Sequence, residues 1–332
     1  MSPTQVPEAV DAAPALRVEG VTRVFQGAGR RGARVVALRD VSFDLMPGEV
    51  LALVGESGSG KTTIGRIVTG VDRPTSGTVT LAGGAGTTAG TDRRRVQMVF
   101  QDPYAALNPF NTVAYTVSRP LVNYDGLSGD KARERVAQIL RTVQLTPPEE
   151  YLDKRPHQLS GGQRQRVVVA RALAAGPEIV VADEPVSMLD VSIRADILQL
   201  LRGLLDERRV VAMLYITHDL LSARLLARRI MVLYRGHLVE TGPTAQILAR
   251  PAHPYTQMLW AAIPNPRRAA RGEEVPAPAA ASGDAPENGC PFAPRCPLAL
   301  DRCWSERPAL RPIDGRRVAC HVVTQGTAAA PA

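Results

Sequence analysis

Apolar residues in this chain fall into short runs broken by glycine- and proline-bearing turns, with helical spacing between some of the runs. Leu16-Arg17-Val18, Val35-Val36-Ala37-Leu38 and the segment Val41–Leu45 read as short strands. The turn Met46-Pro47-Gly48-Glu49 leads into Val50-Leu51-Ala52-Leu53-Val54, five consecutive apolar positions that predict a strand buried on both faces. A glycine-rich turn and a helix starting near Lys61 follow. Pro74 to Gly77 then reads as a turn and Thr78 to Leu81 as another strand. From about Asp102 to Leu159 the spacing is mostly helical, best between Asp130 and Val143. Ile179–Ala182, Val211–Thr217 and Ile230–Leu233 are again buried-strand runs, and Arg235-Gly236 is a turn. Strands alternating with helices predict an α/β domain with a parallel sheet and crossover connections.

The first chemistry lies at the end of the Val50–Val54 run. Gly55-Glu56-Ser57-Gly58-Ser59-Gly60-Lys61-Thr62 fits the phosphate-loop pattern of Gly, four residues, then Gly-Lys-Thr, between a predicted strand and a predicted helix. Glycines let the backbone wrap a phosphate, and the helix N-terminus adds positive potential. Lys61 supplies a point charge to the β- and γ-phosphates, and the Thr62 hydroxyl is placed to ligate Mg²⁺. Further along, Ile179-Val180-Val181-Ala182-Asp183-Glu184-Pro185 is an apolar strand ending in two acids. One carboxylate there can hold Mg²⁺ through water and its neighbour can polarise an attacking water. Leu159-Ser160-Gly161-Gly162-Gln163 opens a further predicted helix and offers a second anion-binding helix start. One chain has no need of two such surfaces for a single γ-phosphate, unless each serves a different copy in a dimer.

Composition narrows the class. Apolar residues make up 45% and charged residues 22%, ordinary for a globular protein, with a formal net charge of +8. The arginines are scattered in pairs and triplets and aromatics are only 4%, which points away from nucleic acid as a partner. Nucleotide phosphates and an anionic membrane surface account for the positive balance. No uninterrupted apolar stretch reaches the ~18 residues that span a bilayer. Residues 1–14 lack a basic start and an apolar core, so they are expected to be a disordered tail and not a secretory signal. The chain is expected to stay on the cytoplasmic side, reaching the membrane only through a partner. All four cysteines fall between Cys290 and Cys320, after a Pro/Ala/Gly-rich stretch 265–289 that reads as a linker.

Taken together these motifs resemble the ATP-binding-cassette (ABC) ATPases, in which Leu-Ser-Gly-Gly-Gln is the defining signature. The resemblance implies a P-loop cassette with a RecA-like core, an antiparallel β subdomain and a helical subdomain at about 102–175, the nucleotide domain spanning 15–250. It implies ATP and Mg²⁺ as ligands. Phe25 would stack on adenine, and Gly55, Ser57, Gly58, Ser59, Gly60, Lys61, Thr62 and Thr63 would hold the phosphates. Thr62, Gln101 and Asp183 would serve Mg²⁺, with Glu184 as catalytic base and His218 on the γ-phosphate. Ser160, Gly161, Gly162 and Gln163 would close on a partner's ATP, and Ser187 and Asp190 would lie in the loop that crosses the dimer interface.

The machine is narrowed by spacing. Gln101 and Ser160 are 59 positions apart, too close for the coiled-coil arm of repair-type cassettes, and one nucleotide domain per chain is not the translation type. Transport is left. The stretch Val99–Pro109, His253-Pro254-Tyr255-Thr256, and the cysteine-bearing run from Gly289 resemble ATPases of the oligopeptide, dipeptide and nickel importer family. That resemblance implies a C-terminal extension at 251–322, with its cysteine segment at 290–321 and a tail at 323–332. It implies a second cassette (a paralogue or a second copy), two membrane permease subunits and, indirectly, an external solute-binding protein. Import of nickel or another small solute, or a non-transport cytosolic ABC ATPase, are the alternatives. Cys290, Cys296, Cys303 and Cys320 are separated by five, six and sixteen residues, which is not the paired spacing of structural zinc sites. A 4Fe–4S cluster, as in some members of the resembled family, zinc and simple thiols remain open for these four. His321 is a bystander.

Overall fold

A computed structural model of the chain describes residues 13–26, 34–83, 93–263 and 285–325. Most of the expected tails and of the expected linker lies outside these, though residues 323–325 of the expected C-terminal tail are described and are helical. Strand β3 (Val50–Val54) is buried along its whole length, and its side chains divide between two cores. Val50, Ala52 and Val54 enter one apolar cluster, while Leu51 and Leu53 enter the other. Neighbouring β6 (Ile179–Asp183) and β7 (Ala212–Thr217) split the same way, Val180 and Tyr215 to one side, Val181 and Leu214 to the other. Successive side chains of a strand point to opposite faces, so an unbroken apolar run is what a sheet covered on both faces requires.

The central sheet has eight strands, in the order β10 (Arg311–Ile313), β11 (Arg316–Val318), β9 (His237–Pro243), β8 (Arg229–Tyr234), β3, β7, β6 and β5 (Val96–Val99). Strands β8, β3, β7, β6 and β5 run parallel, and β9, β11 and β10 continue antiparallel. A second, antiparallel sheet holds β1 (Leu16–Gln26) between β2 (Arg34–Leu45) and β4 (Ser76–Leu81). It covers one face of the central sheet together with helix α1 (Lys61–Val68), which contributes Ile64, Ile67 and Val68 to that core.

The opposite face carries helices α2 (Pro103–Ala106), α3 (Val113–Asp125), α4 (Gly129–Thr142), α5 (Glu149–Leu152), α6 (Gly161–Leu173), α7 (Val191–Asp206) and α8 (Leu220–Leu226). In α4 the buried Ala132, Val136, Ile139 and Leu140 form one stripe, the expected amphipathic period. The two runs expected at 35–38 and 41–45 join into the single strand β2. Asp40 sits between them at φ 52°, and the pairing with β1 shifts register nearby, so an irregularity absorbs what the polar interruption suggested was a break. Strands β5, β9, β10 and β11 are not foreseen by periodicity. Of these, β9 follows from the turn at Arg235-Gly236, whose residues take φ 45° and 77°, a pairing suited to a two-residue hairpin.

The C-terminal segment does not stand apart. After α9 (Thr244–Ala249) and α10 (Pro254–Ala261), the β10–β11 hairpin pairs through Val318 and Arg317 with Glu240 and Thr241 of β9. The segment thereby extends the central sheet, and it also carries the short helices α11 (Arg302–Ser305) and α12 (His321–Gln325).

Candidate functional site

The candidate site forms where β3 ends and α1 begins. Gly55 must be glycine for lack of space: a Cβ there would lie 2.2 Å from the Leu233 carbonyl oxygen of the adjacent strand. Gly60 combines φ 106° with an approach that would place a Cβ 2.6 Å from the Ala37 carbonyl oxygen. The loop therefore wraps tightly against β2 and β8, and α1 starts from Gly60 with no side-chain cap on its first amides. Those amides remain available to an anion. Lys61 is buried, and its Nζ donates to the Gly55 and Glu56 carbonyl oxygens at 2.8 and 2.9 Å. Desolvation lowers its pKa, partly offset by the fields of Glu184, Asp183 and Glu56.

Two acids face this loop from the end of β6. Asp183 is buried and its pKa is raised, chiefly by desolvation, while a hydrogen bond with Thr62 acts the other way. Asp183 Oδ1 is buried with no hydrogen-bond partner. A buried, orphaned carboxylate oxygen beside a hydroxyl suits a hard, oxygen-seeking divalent cation, so these residues fit Mg²⁺. Glu184 takes φ 45°, uncommon for a residue with a side chain, and the turn this makes aims its carboxylate into the cleft. Gln101 Nε2 donates to Glu184 Oε2 at 3.1 Å, and His218 Nδ1, at the end of β7, meets the same oxygen at 3.0 Å. Gln101 and His218, far apart along the chain, thus converge on one oxygen.

A cleft of about 890 Å³ joins these groups. Gly55, Ser57, Gly58, Gly60, Lys61, Thr62, Thr63, Gln101, Glu184 and His218 line it, with Val35 to Ala37 of β2 at its mouth. Ser59 lies beneath the loop, its hydroxyl buried. Phe25 is not among the lining residues. It pairs across from Val35 on β1, and the Arg23 guanidinium stacks 4.5 Å from its ring centre. Ser160, Gly161, Gly162 and Gln163 also lie outside the cleft, at the start of α6, where Ser160 is exposed and Gly162 buried. There Ser160 Oγ accepts from the Gln163 amide and the Gln163 side chain accepts from the Ser160 amide, a reciprocal cap. Ser187 Oγ donates to the Glu184 carbonyl at 3.0 Å, and exposed Asp190 opens α7. Sequence reasoning missed Arg235 and Leu259, which also line the cleft. The Arg235-Gly236 turn was the one local signal available for them.

With the geometry in hand, comparison with known proteins is informative. The ABC transporter family model matches residues 38–187, and the model of the oligopeptide/dipeptide transporter C-terminal region matches residues 239–303. A di/tripeptide transport ATP-binding protein of Pseudomonas aeruginosa is 43% identical over 314 residues, 91% of this chain and 94% of that protein. A protein of Sinorhizobium fredii named as a probable peptide ABC transporter ATP-binding protein is 43% identical, covering 95% of this chain and 91% of its own length. Among solved structures, a dimeric ATP-binding cassette in a post-hydrolysis state with ADP and Pi is similar at TM-score 0.61 and 34% identity. It covers 69% of this chain and 98% of that one.

The expectation of a 4Fe–4S cluster at Cys290, Cys296, Cys303 and Cys320 is corrected. Among the described residues no group of three or more His, Cys, Asp or Glu side chains is placed to hold a metal ion. The similar proteins are likewise matched as ABC ATP-binding proteins, by cassette and C-terminal region. The cysteines instead serve packing. Cys290, Cys303 and Cys320 are buried, and burial pushes the Cys290 thiol up to about 11 and raises those of Cys296 and Cys320. Such thiols stay protonated and behave as small apolar side chains.

Proposed function

The chain belongs to the ABC transporter family of ATP-binding proteins, and from that premise we propose that it is the ATP-hydrolysing subunit of a peptide importer. It is an ATPase of the cassette type, using ATP and Mg²⁺. It pairs with a second cassette and with two membrane permeases, at the cytoplasmic face of the membrane; no described helix is long and apolar enough to cross a bilayer. The C-terminal match and the names of the relatives favour oligopeptides or dipeptides as cargo over nickel or another small solute.

The observation that carries the reading is the shared oxygen of Glu184, held between Gln101 and His218 at the edge of the phosphate loop. A carboxylate fixed in that way can orient a water for in-line attack on a γ-phosphate. The loop from Gly55 to Thr63 holds the phosphates by its amides and by Lys61. Adenine lies against the edge of β2 at Val35 to Ala37, beside Phe25 on the pairing strand. Thr62, Asp183 and Gln101 would hold Mg²⁺, which when bound would supply charge neutralisation to the phosphates. His218 meets the γ-phosphate side of the cleft while hydrogen-bonded to Glu184. Ser160 to Gln163 do not line this chain's own cleft, and so serve the ATP of the second cassette, with Ser187 and Asp190 in the same interface. Residues 15–250 act as the nucleotide-binding unit and 251–322 as the extension that packs on it.

Glu184→Gln tests this assignment. The variant binds Mg-ATP, accumulates as a closed cassette dimer and turns over at least ~100-fold more slowly. Hydrolysis at the wild-type rate would remove Glu184 from the base role. Co-purification of the wild-type chain with two membrane subunits tests the transport reading.

A further inference from the structure

The second residue of the phosphate loop, Glu56, is gripped from the far end of the chain. Arg295 makes a two-pronged ion pair with it, Nη1 to Oε2 at 2.9 Å and Nη2 to Oε1 at 3.0 Å. The Arg295 side chain is itself only 14% exposed. It rests over the Tyr234 and Phe292 rings, and its Nη1 also donates to Tyr234 Oη at 3.4 Å. A second contact reaches the backbone: the Glu56 amide donates to Tyr255 Oη at 2.9 Å. Tyr255 is fully buried and packs on Tyr234 and Phe292 at ring-centre distances of 4.5 and 5.5 Å. Tyr234 ends β8, Tyr255 opens α10, and Phe292 and Arg295 come from the cysteine segment, so one aromatic cluster joins the extension to the loop.

We propose that the C-terminal extension completes the ATP site, with Arg295 a positioning residue that holds and neutralises the Glu56 carboxylate at the wall of the cleft while Tyr255 fixes the loop backbone. The inference rests on the ATPase reading above. Its physical basis is charge. Glu56 sits in a loop built to receive a polyanion, and its field already acts on Lys61. An unpaired carboxylate there opposes phosphate binding, and a bidentate guanidinium removes that opposition with a geometry that lysine cannot reproduce. The Glu56 amide is committed to Tyr255, so this stretch of loop is shaped by the extension and not by the phosphate alone.

The test is binding of the non-hydrolysable analogue AMP-PNP with Mg²⁺ to the full chain, followed by calorimetry, with circular dichroism to confirm folding. Arg295→Gln raises Kd about tenfold, the order expected of one uncompensated charge beside a polyanion. The deficit shrinks at high salt, because the exposed carboxylate is screened. The double variant E56Q/R295Q, lacking both charges, returns to within about threefold of wild type. If R295Q binds within twofold of wild type, or if the folded double variant stays as weak as R295Q, the assignment is overturned. Should R295Q fail to fold, the double variant decides: folded E56Q/R295Q within about threefold of wild type supports the assignment, and a larger loss overturns it. A wild-type chain that fails to bind AMP-PNP would refute the ATPase reading instead, which keeps the two failures distinct.

Discussion

Glu240 is completely buried on β9, and replacing it with Gln measures what holds the extension to the nucleotide domain. Its Oε1 accepts from the Ala252 amide at 3.0 Å and from Arg316 Nη1 at 3.4 Å, and its Oε2 accepts from the His253 amide at 2.9 Å. Arg316, from β11, is only 8% exposed at its side chain. Glutamine keeps the shape but offers one acceptor oxygen and an NH₂ group that cannot accept. One backbone amide therefore loses a charge-assisted bond worth about 1.5–3 kcal/mol. The buried Arg316 charge also loses its counterion, and breaking a buried pair costs about 3–5 kcal/mol. The two losses share atoms and do not add, so we expect about 3–5 kcal/mol in all. At about 2 °C per kcal/mol for a chain this large, the melting temperature falls by about 6–10 °C. Thermal unfolding followed by circular dichroism reads this directly, with limited proteolysis within 251–320 reporting release of the segment. The double variant E240M/R316M, which buries no charge, recovers at least half of the loss. A fall below about 2 °C for E240Q would refute the reasoning, because it would mean that water reaches the pair and that the extension is held elsewhere.

Acid pH acts on the same junction. His253 caps α10, its Nδ1 accepting from the Tyr255 amide at 3.0 Å, and burial lowers its pKa to about 3. His237, lowered to about 4 by burial, lies at the start of β9. Both are neutral in the fold and titrate near 6.5 when unfolded, so the stability they contribute is present above pH 6.5 and declines as pH falls toward 4. Each accounts for about 2 kcal/mol at pH 5, and urea unfolding at several pH values should show His253→Asn flattening the slope by about half; an unchanged slope would count against a neutral His253. Ser160→Arg, at the exposed start of α6, leaves AMP-PNP binding by the isolated chain within about twofold but cuts ATP turnover of the assembled cassette pair by at least ~100-fold. Equal losses in both assays would mean that Ser160 serves its own chain's site.

Much of the nucleotide site is local in sequence, and for that reason legible. A strand buried on both faces must be continuously apolar, a loop pressed on neighbouring carbonyls must be glycine, and a reciprocal helix cap needs Ser160 and Gln163 three positions apart. The cassette fold follows from these marks and their order. The failures have the same origin. Short, half-exposed β10 and β11 carry no apolar period, because their pairing with β9 depends on residues more than 70 positions away. The cysteines share a segment and so suggested a shared ligand, yet burial, which the sequence does not display, raises the thiols of Cys290, Cys296 and Cys320 and keeps them protonated.

Sequence alone therefore determined the identity of the machine, because phosphate binding is done by contiguous backbone whose requirements are written residue by residue. Tertiary structure alone decided what surrounds the phosphate loop. Glu56 and Arg295 are 239 positions apart, and neither has a periodicity or motif that names the other. Their meeting depends on the sheet extending through β9 to β11 and on a buried aromatic cluster closing the gap. Opposite charges can pair over any sequence separation, so only the folded chain selects which of its 32 acids and 40 bases do so.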